Sequence, residues 1–221
     1  MAVADNLLLA ALAAPERNSL ISGTEPVVLR AGDSLAEAGK RLAHVYFPID
    51  SSISLAVPVA GHPPLEVGLV GFEGMLGIAL VLGASGSAFS AVVQGAGCAW
   101  RVDADRFKRE LAENRSLRLC MNAYVHVRLL QVAQTAACKN FHLVEARLAR
   151  WLLMSRDRAR SDRISLTHEM LSHLLGVRRA GVTLAAHAFQ KQALISYVRG
   201  QIVLLDARGL EAVACPCYAG E

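Results

Sequence analysis

The sequence predicts an α+β chain in three parts: an N-terminal antiparallel, jelly-roll-like β-roll over residues 1–115, one long helix over 116–141, and a C-terminal unit of short helices closed by a hairpin over 142–221. Three observations carry that division. From residue 27 to 103 short apolar pieces alternate with glycine or proline turns, the texture of many short strands. From Ser116 to Phe141 neither glycine nor proline occurs, which leaves room for about 25 residues of helix, near 38 Å at about 1.5 Å per residue. The remainder reads helix, strand, helix, turn, helix, hairpin.

Composition sets the class before any element is placed. With 53% hydrophobic and 19% charged residues among 221, the chain is too apolar to stay disordered, and it has no proline-rich or serine-rich tract of the fibrous or linker kind. Charge is uneven: residues 1–115 carry 9 Lys/Arg against 12 Asp/Glu, residues 116–141 carry 3 against none, and residues 142–221 carry 11 against 7. The front is net negative and the back net positive, which points the back half toward a polyanion. The apolar stretch Leu7 to Ala14 is short and follows Asp5 instead of a basic segment, and five cysteines are an odd number, so no secretory leader or disulfide framework is expected and the cytoplasm is the expected compartment. Met75 to Trp100 carries no charge and is long enough to span a bilayer, but its glycines, serines and Gln94 break it into buried strands and turns, so no membrane partner is expected.

In the roll, the strand candidates are Val27–Leu29, Val45–Phe47, Ile53–Val59, Leu65–Val70, Ala88–Gln94 and Ala99–Val102, with turns at 31–33, 49–51, 60–63 and 71–74. Asp103 is placed to cap the helix that follows. Along the long helix Leu117, Met121, Tyr124, Val127, Leu130, Gln134 and Ala137 recur three or four apart, and this is taken as a seam for a second copy of the chain, the competing reading being that it lies on the chain's own roll.

In the last part Val144–Arg156 is amphipathic, with Leu148, Trp151 and Leu152 inward and Arg147 and Arg150 outward. A basic loop over 156–163 leads into a strand at Ile164–Leu166. Thr167 can cap a short helix, His168–Leu175, that stops at Gly176, and a second helix starts within two or three residues: helix-turn-helix spacing. Met170, Leu171, Leu174, Val177, Val182, Ala185 and Phe189 are expected inside, while Arg178, Arg179, Thr183 and His187 face solvent and Ala180 and Gly181 allow a close approach to a groove. Leu194–Tyr197 and Gln201–Leu205 make a wing about Val198-Arg199-Gly200. A winged helix on a basic module points to double-stranded DNA, with Thr167, His168, Arg178, Arg179, Thr183, His187 and Arg199 as the candidate contacts.

With these residues in place, the chain resembles the Crp/Fnr transcription regulators over nearly its full length. "VLRAGDSLAEAGKRLAHVYFPIDSSISL", with Gly32, Gly39, Tyr46 and Phe47, looks like the opening of that family's cyclic-nucleotide-binding-type roll, and "LVEARLARWLL" with the winged-helix string is similar to its DNA-binding half. The resemblance implies a homodimer that reads a palindromic operator and works with RNA polymerase. It does not extend to the cyclic nucleotide, because "GFEGMLGIALVLGASGSAFSAVV" stands where the family holds the cyclic phosphate with an acidic residue and an arginine, and no Lys or Arg occurs from Leu42 to Trp100. A buried phosphate without a cation is an unpaired charge. Phe72, Gly74, Met75, Leu76 and Ser87 are left as the candidate pocket for a neutral or apolar effector, if the roll takes one. In the recognition helix Arg179 matches the family's first base-reading arginine, whereas Ala180 and Leu184 replace the others, so the operator does not carry over.

Two other classes compete with this reading. A cupin-type metal enzyme needs clustered ligands, and the roll offers only His44, His62, Glu66 and Glu73 with no His-x-His pair. A non-catalytic sensor or scaffold whose winged helix binds protein is the other. No activated nucleophile stands out, so no enzymatic activity is expected. No cofactor or metal is assigned either: "CPCY" at 215–218 offers two cysteines one residue apart, without evident further ligands.

Overall fold

The computed structural model describes residues 6–22 and 24–220, so Asp5 lies outside the described residues. Two short helices come first, α1 (Leu7–Ala10) and α2 (Ala14–Ile21). The Asn6 side chain caps α1 by accepting from the Leu9 amide, and its own amide donates to the carbonyls of Pro48 and Gly74 at 2.8 and 2.9 Å, tying the first turn to the roll.

The roll consists of β1 (Pro26–Leu29), β2 (Ser34–Ala36), β3 (His44–Pro48), β4 (Ser52–Val59), β5 (His62–Val70), the one-turn helix α3 (Ile78–Val81), β6 (Ser90–Gly95) and β7 (Gly97–Asp103). These strands form two antiparallel sheets, ordered β1-β7-β3 and β2-β6-β4-β5. β2 is the strand the sequence did not reveal, since three residues are too few to display an alternation. In β3 the two-residue period works on both faces: Tyr46 packs between the sheets with Ile53, Leu55 and Val93, while Val45 and Phe47 meet the helices. The uncharged stretch Met75–Trp100 holds α3, β6 and part of β7, and among the described residues no helix is long and apolar enough to cross a membrane.

Asp103 starts α4 (Ala104–Glu113), its carboxylate accepting from the amides of Asp105 and Arg106, and Asn114 starts α5 (Arg115–Phe141) by accepting from Leu117. The expected seam on α5 is not one face. Leu117, Met121 and Tyr124 are buried against the chain's own roll, Leu117 and Met121 beside Phe47 and Phe107, whereas Val127, Leu130 and Gln134 are exposed. The reason is helical geometry: each step of three residues falls about 60° short of a turn, so the successive steps 121-124-127-130 carry the stripe off the roll. The outward stripe is instead Leu119, Ala123, His126, Leu130, Ala133 and Ala137, alternately four and three apart and all exposed.

The candidate effector residues are held by contacts of the chain's own. Gly74, Met75 and Leu76 are buried in packed structure, with the Tyr124 hydroxyl accepting from the Met75 amide at 3.0 Å and donating to its carbonyl at 3.2 Å. Phe72 lies under the Arg160 guanidinium, 4.0 Å from the ring centre, and the Ser87 hydroxyl is spent on the Phe89 backbone.

The rest of the chain is α6 (Val144–Ala159), β8 (Arg163–Ser165), α7 (His168–Leu175), α8 (Arg179–Lys191), β9 (Ile195–Val198), β10 (Gln201–Leu204), α9 (Ala207–Val213) and a 3-10 turn at Pro216–Gly220. The three strands form an antiparallel sheet ordered β8-β10-β9. Leu148, Leu152, Leu171, Val182, Phe189, Ile202 and Leu210 make its core with α6 to α9. Met170, expected inside, is exposed.

The stretch from Leu42 to Trp100 carries no Lys or Arg, yet the helices deliver several to it. Arg128 of α5 donates to the Leu69 carbonyl at 2.8 Å and to Gln131, and Arg158 of α6 pairs with Glu73 at 3.0 Å. Gly71 is required there, because a Cβ on it would stand 2.4 Å from the Arg158 Cβ.

Candidate nucleic-acid interface

Local chemistry alone builds the helix-turn-helix. Thr167 caps α7 by accepting from the Met170 amide at 3.2 Å, and Gly176 ends α7 in the left-handed region at φ 64°, with the Val177 amide donating to the Ser172 carbonyl. Arg178 is the extended residue before α8 and makes no side-chain cap, which leaves its guanidinium outside.

On α8 the buried residues are Val182, Ala185, Ala186 and Phe189; the opposite side exposes Arg179, Ala180, Thr183, Leu184 and His187. Leu184, which stands in place of one of the family's base-reading residues, is 72% exposed in the middle of that side. Gly181 serves a different purpose from the one expected. A Cβ there would face Val144 at 3.8 Å, so the position looks toward α6 and not toward a groove.

His168 and Thr183 are not simple solvent-facing groups. The His168 ring stacks on Tyr197 of β9 with centres 4.2 Å apart, and its Nδ1 lies 3.1 Å from the Thr183 hydroxyl, which also donates to the Arg179 carbonyl. His168 thus joins α7, α8 and the wing. Burial, with the nearby Arg179 charge, lowers its pKa from the ordinary imidazole value.

The wing turns on Arg199 and Gly200, both at positive φ (49° and 81°), as a two-residue hairpin of primed type requires. Arg199 is exposed at the tip, and Gly200 sits over the Thr167 methyl. Ser165 and Gln201 pair across the base of the wing. Arg178, Arg179 and the exposed side of α8 therefore lie in one unit with the wing-tip Arg199, while Thr167 is committed to capping.

Above this unit a cleft of about 610 Å³ runs between Val59, His62, Pro63 and Leu65 of the β4–β5 hairpin and Ser172, Gly176, Val177 and Arg178 of the helix-turn-helix. The roll thus touches the turn that sets the angle of α8.

Residues 146–213 match a family described as the Crp-like helix-turn-helix domain. Solved structures align along most of the chain. A protein assigned to the Crp/Fnr family of transcriptional regulators from Eubacterium rectale is 15% identical, with 93% of this chain and 96% of that one covered at a TM-score of 0.71. FixK2 from Bradyrhizobium japonicum is 13% identical, covering 87% and 98% at 0.71. CLP from Xanthomonas campestris, described as a c-di-GMP responsive global regulator, is 15% identical, covering 87% and 99% at 0.67. No curated protein sequence matches. At these identities the likeness is one of fold.

Proposed function

We propose that this chain, which has the Crp/Fnr-type regulator fold and a Crp-like helix-turn-helix DNA-binding domain, is a dimeric transcription regulator that reads a palindromic operator with α8. The carrying observation is the exposed side of α8. It presents two arginines at its start, Thr183 and the small Ala180 behind them, and Leu184 between, with the Arg199 wing tip on the same unit. Arg179 pairs bidentately with guanine, Leu184 supplies apolar contact of the kind a thymine methyl accepts, and Arg199 meets phosphate. The outward stripe of α5 supports the dimer, because Leu119 and Leu130, each 57% exposed, fall at a coiled-coil spacing with Ala123, Ala133 and Ala137. Two recognition helices related by a two-fold axis read half-sites about 34 Å apart.

Cyclic nucleotides are left out of this reading. Arg128, Arg158 and Arg160 reach the Leu69–Glu73 stretch, and they are engaged with Leu69 and Gln131, with Glu73 and with Phe72. The likeness to Crp/Fnr-type regulators supports including RNA polymerase among its partners.

Selection from random DNA followed by titration at several salt concentrations tests the proposal. It requires a recurring two-fold symmetric site, bound far more tightly than random DNA, with log affinity falling linearly against log salt. Equal affinity for selected and random DNA overturns it, and a protein-only partner with no salt-dependent DNA shift would favour the scaffold reading instead.

A further inference from the structure

Four sulfur and nitrogen donors converge where the long helix ends. Cys138 and His142 stand one turn apart at the end of α5, and Cys215 and Cys217 arrive from the segment after α9; the ligand atoms of all four lie within 4.8 Å of one another. Cys138 Sγ is 3.5 Å from Cys215 Sγ, and Cys217 Sγ is 3.6 Å from His142 Nδ1. A zinc tetrahedron with bonds of about 2.3 Å to sulfur and about 2.0 Å to nitrogen has S–S edges of about 3.8 Å and S–N edges of about 3.5 Å. Bonded cysteines would instead stand about 2.05 Å apart.

We propose that Cys138, His142, Cys215 and Cys217 bind one zinc ion. The three thiols are buried and His142 is half-buried, so the site is closed in the manner of structural zinc. Three thiolates and one imidazole form the soft, tetrahedral set that zinc fills. The Gln134 side-chain amide donates to Cys217 Sγ at 2.8 Å, the outer contact that orients a thiolate ligand. Three thiolates and Zn²⁺ leave one negative charge, and Arg147 is close enough to Cys138 and Cys215 to feel theirs. The ion clamps the C-terminal turn to the junction of α5 and α6. It does so directly before the helix that carries Trp151 and Arg158. This inference is independent of the DNA-binding proposal.

The test uses the full chain, purified under reducing conditions, with Zn²⁺ alone and then Co²⁺ as probes. Elemental analysis should find about one zinc per chain, and Co²⁺ should give thiolate-to-metal charge transfer with tetrahedral ligand-field bands. Cys217→Ser and His142→Ala should each weaken zinc binding more than about 100-fold, Gln134→Ala about 10-fold, and the double variant Cys98→Ser/Cys120→Ser, which removes the thiols outside the cluster, not at all. Circular dichroism identifies any variant that fails to fold, and the wild-type cobalt spectrum decides the matter without variants. Folded wild-type protein that retains no zinc, a cobalt spectrum without charge transfer, a Cys138–Cys215 disulfide in the reduced protein, or loss of zinc from the Cys98/Cys120 variant overturns the proposal.

Discussion

The Trp151 indole donates to the Glu66 carboxyl at 2.6 Å, and that bond fixes α6 of the DNA-binding unit to β5 of the roll. Ser54 donates to the second carboxyl oxygen at 2.5 Å, and Lys139 of α5 reaches the Glu66 carbonyl. Burial pushes the Glu66 pKa up to about 7, against the pull of these hydrogen bonds and of the Lys139 and Arg158 charges.

The first prediction is a pH dependence. With a folded-state pKa above the ordinary 4.5, the folded protein holds a proton that the unfolded chain releases, so the stability this group contributes is complete below about 4.5 and is lost as pH rises to about 7, on the order of 3 kcal/mol in all. Lys139, pushed down to about 8 by burial, changes the balance only above that window. Glu66→Gln should be flat where the wild type declines, and Trp151 fluorescence should titrate near pH 7 in the wild type alone. Parallel stability curves between pH 5 and 8 would sink this account.

The second prediction separates the two faces of α5. Leu119→Asp with Leu130→Asp should give monomers by light scattering with unchanged circular dichroism, since both side chains are exposed within the chain. Leu117→Ala should cost about 2 to 5 kcal/mol of stability through the cavity left beside Met121. A wild-type monomer at micromolar concentration removes the dimer from the proposed function.

The third concerns Gly74, whose missing Cβ is occupied. An alanine there would place a carbon 2.1 Å from the Tyr124 hydroxyl and expel it from its two bonds to Met75. Tyr124→Phe should cost about 1 kcal/mol, and Gly74→Ala clearly more, because the ring must move as well. Equal thermal midpoints for the two variants would contradict the packing argument.

What the sequence made legible was local. The Thr167 cap, the left-handed Gly176 and the Arg199-Gly200 wing turn each follow from neighbouring residues, and the structure has them where the spacing put them. What stayed hidden depends on partners distant along the chain. Glu66 enters the sequence reading only as one of four scattered possible metal ligands, whereas its actual partner is Trp151, 85 residues later. Cys138 and Cys215 are 77 residues apart, so "CPCY" gave half a ligand set and the helix end the other half. The side of α5 that meets the roll is hidden in the sequence for the same reason, since one helix carries two stripes and only the roll decides which is inside.

The last prediction divides labour within the nucleic-acid interface. Arg179 stands in the first turn of α8 and Arg199 at the wing tip, both exposed and attached to separate elements. If Arg179 reads a base, Arg179→Ala should cost about 1 to 3 kcal/mol on the selected site and relax the preference at one position, with little effect on random DNA. Arg199→Ala should weaken every sequence alike and lower the salt slope by about 1, one phosphate contact being lost. Alanine carries a Cβ as arginine does, so the strain of the positive φ at this position is comparable in the two chains. Equal losses on selected and random DNA for both variants would refute this division.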